Sequence, residues 1–223
     1  MPDPPVLLLH GFATSAQRTW RDNGWIDLLE DAGRTVLAPD LLGHGTAPKP
    51  HDPAAYRGLE DAVAAQLPDG PVEGIGFSLG ARVLLVLAAA QPERFLRLVV
   101  AGVGANLVRH DDPSPIVRAL RGEVGADPVA AYFAGLGRAP DADPLALAAL
   151  LERNAGPLTT AALARVTVPV LVVLGDRDFA GPPEPLVEAL PDARLVTLPG
   201  TDHFATPKDF RFIDAALAFL GVG

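Results

Sequence analysis

Apolar residues along this chain fall into two alternating rhythms. Short, mostly apolar runs lie at residues 6–9, 34–38, 72–76, 97–101, 168–174 and 194–198. Runs of that length without strict polar alternation suit strands covered on both faces. Longer segments separate them, with helical signals at about 22–32, 58–67, 79–90, 184–190 and 207–220. In the last of these, Phe210, Ile213, Leu217 and Leu220 make one helical stripe. Strands alternating with helices predict an α/β fold: a mainly parallel sheet of about six strands with helices on both faces.

One region breaks the rhythm. From about Gly104 to Val166 the chain holds polar, Pro-rich corners, Asp111-Asp112-Pro113-Ser114-Pro115 and Ala139-Pro140-Asp141-Ala142-Asp143-Pro144, with short helical runs between them. The corners read as solvated turns. Ile116, Leu120, Tyr132, Phe133 and Leu136 are the apolar residues there that could face a pocket, although packing onto the body below is the commoner role for any one of them.

Composition narrows the classes. A chain of 223 residues, 49% of them hydrophobic, has enough core to stand as one domain. Only 6% are aromatic, so Leu, Val and Ala must fill that core. The absence of cysteine excludes disulfides and thiol-based metal or redox chemistry, and fits a reducing, cytoplasmic setting. The first apolar run is too short, and lacks the basic flank, for a signal peptide or membrane span. A net charge of −9 disfavours nucleic acid and anionic membrane as partners.

Candidate chemistry centres on Gly76-Phe77-Ser78-Leu79-Gly80, between the strand-like Val72–Gly76 and the apolar helical run Leu79–Ala90. Glycines two residues either side of a serine let the backbone turn sharply from strand to helix and expose the hydroxyl. A serine hydroxyl needs a base, and the base needs an orienting acid. Of five histidines, His203 stands in a loop just after the strand-like 194–198. Loops at the carboxyl ends of strands are where an open parallel sheet gathers its reactive groups. The buried run 168–174 delivers Gly175-Asp176-Arg177-Asp178 at its own carboxyl end, so two aspartates compete for the acid role. His10 and His44 lack the i+2 or i+4 partners of familiar zinc spacings and read as loop-bracing residues; His51 and His110 read as surface or cap residues. No metal or cofactor is called for.

Five segments in order, His10-Gly11-Phe12, Ala38–Gly45, the serine corner, Gly175–Asp178 and Asp202-His203-Phe204, resemble the α/β-hydrolase superfamily over nearly the whole chain. The resemblance implies Ser78 as nucleophile, His203 as general base and acid, and Asp178 as the orienting carboxylate, preferred to Asp176 by its place in the acid loop. It also implies an oxyanion hole from the backbone N–H groups of Phe12 and Leu79. Residues 104–166 occupy the position of the family's cap, which at this length would be a small helical lid within a single domain, 1–223. Many relatives carry about two further strands ahead of the first loop. The sheet here should therefore be trimmed at its N-terminal side, baring an edge that a partner subunit could cover; monomer and homodimer both stay open.

The activity implied is hydrolysis of small to medium carboxylic esters through an acyl-enzyme, with His203 as the base. Lactonase, thioesterase, perhydrolase and cofactor-free haloperoxidase chemistry would use the same trio, and a slow-turnover ligand receptor could keep it. Serine at position 78 is unlike haloalkane dehalogenases and epoxide hydrolases, which need a carboxylate there. His-Gly-Phe also differs from the His-Gly-Gly-Gly of hormone-sensitive-lipase types.

Overall fold

The strands form where the apolar runs stand, and their side chains alternate between two cores. The computed structural model describes residues 3–222 apart from His110, Asp111, Val124 and Asn154. Strands β1 (Val6–Leu9), β2 (Val36–Leu37), β3 (Val72–Phe77), β4 (Phe95–Ala101), β5 (Val170–Gly175) and β6 (Ala193–Leu198) make one six-stranded sheet. All neighbouring pairs are parallel, in the order β2-β1-β3-β4-β5-β6. Leu7, Leu9, Leu98, Val100, Val170 and Val172 face one core, while Val6, Leu8, Val99, Ala101, Leu171 and Val173 face the other. This is the period-two pattern of a sheet covered on both sides.

Helices α2 (Leu59–Ala64), α3 (Leu79–Ala90) and α8 (Glu184–Ala189) pack on the first face. Helices α1 (Trp25–Asp31) and α9 (Phe210–Leu220) pack on the second, where Trp20, Trp25 and Phe212 meet ring to ring. The stripe expected to pack on the sheet holds at Ile213 and Leu220, which are buried, and fails at Phe210, which opens α9 and is 79% exposed; Phe212 and Ala216 complete the buried face instead.

Three departures from the sequence pattern have physical causes. The expected strand at 34–38 shortens to Val36–Leu37, because Arg34 turns aside to pair with the buried Glu73. Residues Gln17–Arg21 form a π-helical turn where none was expected; the Asn23 side chain donates to the Arg18 and Thr19 carbonyls at its end. Gly24, with φ of 79°, then resets the chain so that α1 starts at Trp25 rather than near residue 22.

Between β4 and β5 lie α4 (Ser114–Leu120), α5 (Pro128–Leu136), α6 (Pro144–Glu152) and α7 (Thr160–Leu163). Asp127 and Asp143 cap α5 and α6 through their side chains, with Pro at the first turn of each. Val117, Leu120, Phe133, Leu147 and Ala148 form a separate small core that leans on Phe12, Ala13 and Phe204. Leu120, named above as a possible pocket residue, is spent in that packing. Among the described residues no helix is long and apolar enough to cross a membrane.

Candidate active site

Strand order brings the expected residues to one edge. Ser78 follows β3, Asp178 follows β5 and His203 follows β6, so β4 separates the serine from the other two. His203 has to reach back across the end of β4. Gly102 leaves it room: a Cβ there would stand 2.5 Å from the Phe77 ring and 3.1 Å from His203 Cε1.

Ser78 itself has φ of 52° and ψ of −109°, a conformation that non-glycine residues rarely adopt. Its N–H donates to the Ala101 carbonyl, and α3 starts at the next residue. The corner depends on close approach. A Cβ on Gly80 would lie 2.0 Å from the Leu9 carbonyl oxygen, so only glycine lets the first turn of α3 sit against the 9–12 loop. The Ser78 side chain makes no helix cap, which leaves its hydroxyl for His203.

The hydroxyl lies 3.1 Å from His203 Nε2. Nδ1 of the same ring faces both Asp178 oxygens, at 2.9 and 3.0 Å. A carboxylate only accepts, so Nδ1 carries the hydrogen and Nε2 is left to accept from Ser78. Asp178 also accepts from the Ala180 N–H at 2.8 Å, which fixes the carboxylate plane. The rival Asp176 points elsewhere and receives the Gly200 N–H at 2.7 Å, bracing the histidine loop from its exposed side.

Two rings that the sequence did not single out flank His203: Phe179 at 4.4 Å and Phe77 at 4.9 Å between centroids. Phe179 directly follows Asp178 and Phe77 directly precedes Ser78; that adjacency was the available signal. Among the described residues neither the Phe12 nor the Leu79 N–H has an acceptor. Gly11 lies against Phe77 and Ser78, which brings the two loops together.

His10 and His44 belong to the same edge but to different chemistry. Leu41 N–H donates to His10 Nε2 at 3.0 Å, and His10 Nδ1 donates to the Gly11 carbonyl at 2.8 Å. Ala13 N–H donates to His44 Nε2 at 3.1 Å, and His44 Nδ1 donates to the Leu42 carbonyl at 3.2 Å. Burial lowers the His10 pKa to about 4 and the His44 pKa to about 3, the two rings also disfavouring charge on His44. Both stay neutral and brace loops. Asp40 ties the same region: burial would raise its carboxyl, but bonds from Thr46 and Ala16 outweigh that and hold it below the usual range. His51 meets Asp143 at 2.8 Å on the surface, and His110 lies outside the described residues. Among the described residues no group of three or more His, Asp or Glu side chains is placed to hold a metal.

Two cavities open on Ser78. One, of about 120 Å³, is lined by His203, Phe204, Thr14, Tyr132, Leu136 and Lys208 among others. The second, of about 320 Å³, runs the other way past Leu79, Arg82, Ile116, Leu151 and Arg153. Phe12 and Phe133 wall both. A larger recess of about 540 Å³ sits at the opposite end of the sheet around Arg34, Glu73 and Arg97, where no nucleophile stands.

The model of the alpha/beta hydrolase family matches residues 6–215. The chain belongs to that family. A pimeloyl-[acyl-carrier protein] methyl ester esterase of Neisseria meningitidis (strain MC58) is 32% identical, over 91% of this chain and 88% of its own length. One of the same description from Aromatoleum aromaticum is 30% identical over 90% of this chain and 91% of its own. In structure the chain resembles a carboxylesterase of the thaumarchaeon Nitrososphaera gargenis with a TM-score of 0.77, over 99% of this chain and 90% of that one. At 18% identity that last likeness shows the fold alone.

Proposed function

We propose that this alpha/beta hydrolase cleaves carboxylic esters through an acyl-enzyme on Ser78. The observation that carries the reading is the continuous bond chain Ser78 Oγ, His203 Nε2, His203 Nδ1, Asp178, in a site open to two cavities. His203 takes the Ser78 proton as the hydroxyl oxygen attacks the ester carbonyl. The carbonyl oxygen gains charge and accepts from the Phe12 and Leu79 N–H groups, each such donor contributing about 3–4 kcal/mol to the transition state. His203 then passes its proton to the departing alkoxide, and the alcohol leaves. Water repeats the sequence, with His203 as base, to release the carboxylic acid and restore Ser78.

The two cavities support a division of the substrate. The departing oxygen has to lie within reach of His203 Nε2, so the alcohol occupies the smaller cavity that His203 lines. The acyl chain then takes the larger one beside Leu79. An ester with a small alcohol and a longer acyl group fits this division, and the Neisseria relative is named for a methyl ester of a pimeloyl group. While it is protonated, His203 lies between Phe77 and Phe179, whose rings favour a nearby cation.

Hydrolysis of p-nitrophenyl esters of two to twelve acyl carbons by the wild type and Ser78→Ala tests the reading. Steady turnover by the wild type, lost in the variant, supports it. A single burst of nitrophenol without turnover would replace it with a ligand receptor.

A further inference from the structure

The acyl cavity carries charge that ester hydrolysis does not use. Arg82 stands four residues after Ser78 on α3, its N–H donating to the Ser78 carbonyl at 3.1 Å. Ser78 is the residue just before that helix, one turn away, and side chains on a helix lean toward its N-terminus. Arg82 therefore leans toward the nucleophile, and both line the same cavity.

Its surroundings leave it uncompensated. The guanidinium donates to the Ala155 carbonyl at 3.2 Å, its one hydrogen-bond acceptor among the described residues, and no carboxylate there lies within ion-pair distance. Glu60, the acid whose charge acts on it, is already paired with Arg153 at 3.1 Å. Burial and the neighbouring Arg153 push the Arg82 pKa down, and Glu60, which acts the other way, does not offset them. At the exposed rim the cavity has one more arginine, Arg109, and one acid, Asp112, each with interactions of its own. A half-buried arginine with one of five donors satisfied presents an open fork, the shape that takes a carboxylate in two parallel bonds.

We propose that Arg82 is a specificity-determining residue that binds a carboxylate carried on the acyl chain, so that the preferred substrates are half-esters of dicarboxylic acids. The proposal rests on the ester-hydrolase reading above and names its substrate class. With the alcohol toward His203 and the acyl chain along α3, a terminal carboxylate meets Arg82 while the ester carbonyl sits at Ser78. Arg153, paired with Glu60 and held by the Tyr56 carbonyl, adds no net charge, which leaves Arg82 as the cation that the carboxylate meets. The chain's net charge of −9 repels anions in general, so attraction here has to come from this local group.

The test compares monomethyl esters of glutaric, adipic, pimelic and suberic acids with methyl esters of the monocarboxylic acids of equal length, by pH-stat. The wild type should favour the best half-ester over its neutral counterpart by about 10-fold or more in kcat/KM, mainly through KM. Arg82→Gln should bring that ratio near one, and Arg82→Lys should recover part of it. A ratio near one in the wild type, or one kept in Arg82→Gln, would overturn the proposal; so would a variant that only loses thermal stability, since Arg82 would then merely pin residue 155. Calorimetric binding of adipate dianion to the wild type and to Arg82→Gln tests the carboxylate site apart from catalysis. Binding that depends on Arg82, in a wild type that hydrolyses no ester, would sustain the site and sink the esterase reading. No binding, with neutral esters hydrolysed, would do the reverse.

Discussion

The carboxyl edge of the sheet holds two histidine regions, and burial does not tell them apart. His203 is 3% exposed, His10 0% and His44 1%. Their partners differ. His203 sits between an acid on Nδ1 and a hydroxyl on Nε2, so Nε2 can take the hydroxyl's proton while Asp178 holds the ring. His10 and His44 each spend one nitrogen on a backbone N–H and the other on a carbonyl, so neither can release or accept a proton without breaking a loop. A buried imidazole becomes reactive through what it touches, and its depth alone says nothing.

Replacing one member of each region separates them most sharply. Ser78→Ala, which removes the hydroxyl from His203, should lower ester turnover by about 10³-fold or more and change the melting temperature little. Asp178→Asn should follow with a loss of about 10³–10⁴-fold in kcat, because an amide N–H facing Nδ1 favours the wrong tautomer. Steady-state kinetics on one activated ester reads both; a residual activity within 10-fold of wild type in either variant would erase the distinction.

His44→Ala should behave in the opposite way. It leaves the buried Ala13 N–H without its acceptor and opens a void, costing about 2–4 kcal/mol of stability by urea denaturation. Turnover at a temperature where the variant stays folded should fall far less than in Ser78→Ala. A smaller effect comes from pH. With native His10 and His44 titrating near 4 and 3, the unfolded chain binds more protons than the native one below about pH 6.5. Their contribution is therefore complete above pH 6.5 and declines as pH falls, by about 3 kcal/mol per ring at pH 4. Denaturation at pH 7 and pH 4.5 should show a narrower gap for His44→Ala than for wild type; an equal gap would mean that His44 is charged in the native state. Asp176→Asn, whose amide oxygen can still accept from the Gly200 N–H, should leave kcat within about twofold.

Much of this edge was legible because its chemistry is written in short, local stretches. Gly76–Gly80, Gly175–Asp178 and Asp202–Phe204 each carry one of the three residues that meet at the site, close to the strand end that aims it. The choice of Asp178 over Asp176 rested on the resemblance; in the structure Asp178 faces His203 Nδ1, while Asp176 is drawn outward by Gly200. What could not be read depends on distant parts of the chain. Gly102 matters because His203 crosses β4, a fact of strand order. The 34–38 run loses most of its strand to an ion pair with Glu73, nearly forty residues on. Arg82 stands inside a run that looks simply apolar, and its setting is made by Glu60, Arg153 and Ala155.

The central claim is that the line from Asp178 through His203 activates Ser78. A fluorophosphonate, which reacts with an activated serine hydroxyl, tests it directly when the labelled protein is digested and mapped by mass spectrometry. The account predicts one adduct per chain, on Ser78, formed by the wild type and much more slowly by His203→Gln. An adduct on Ser15 or Ser114, none at all, or equal rates in the two proteins would contradict it.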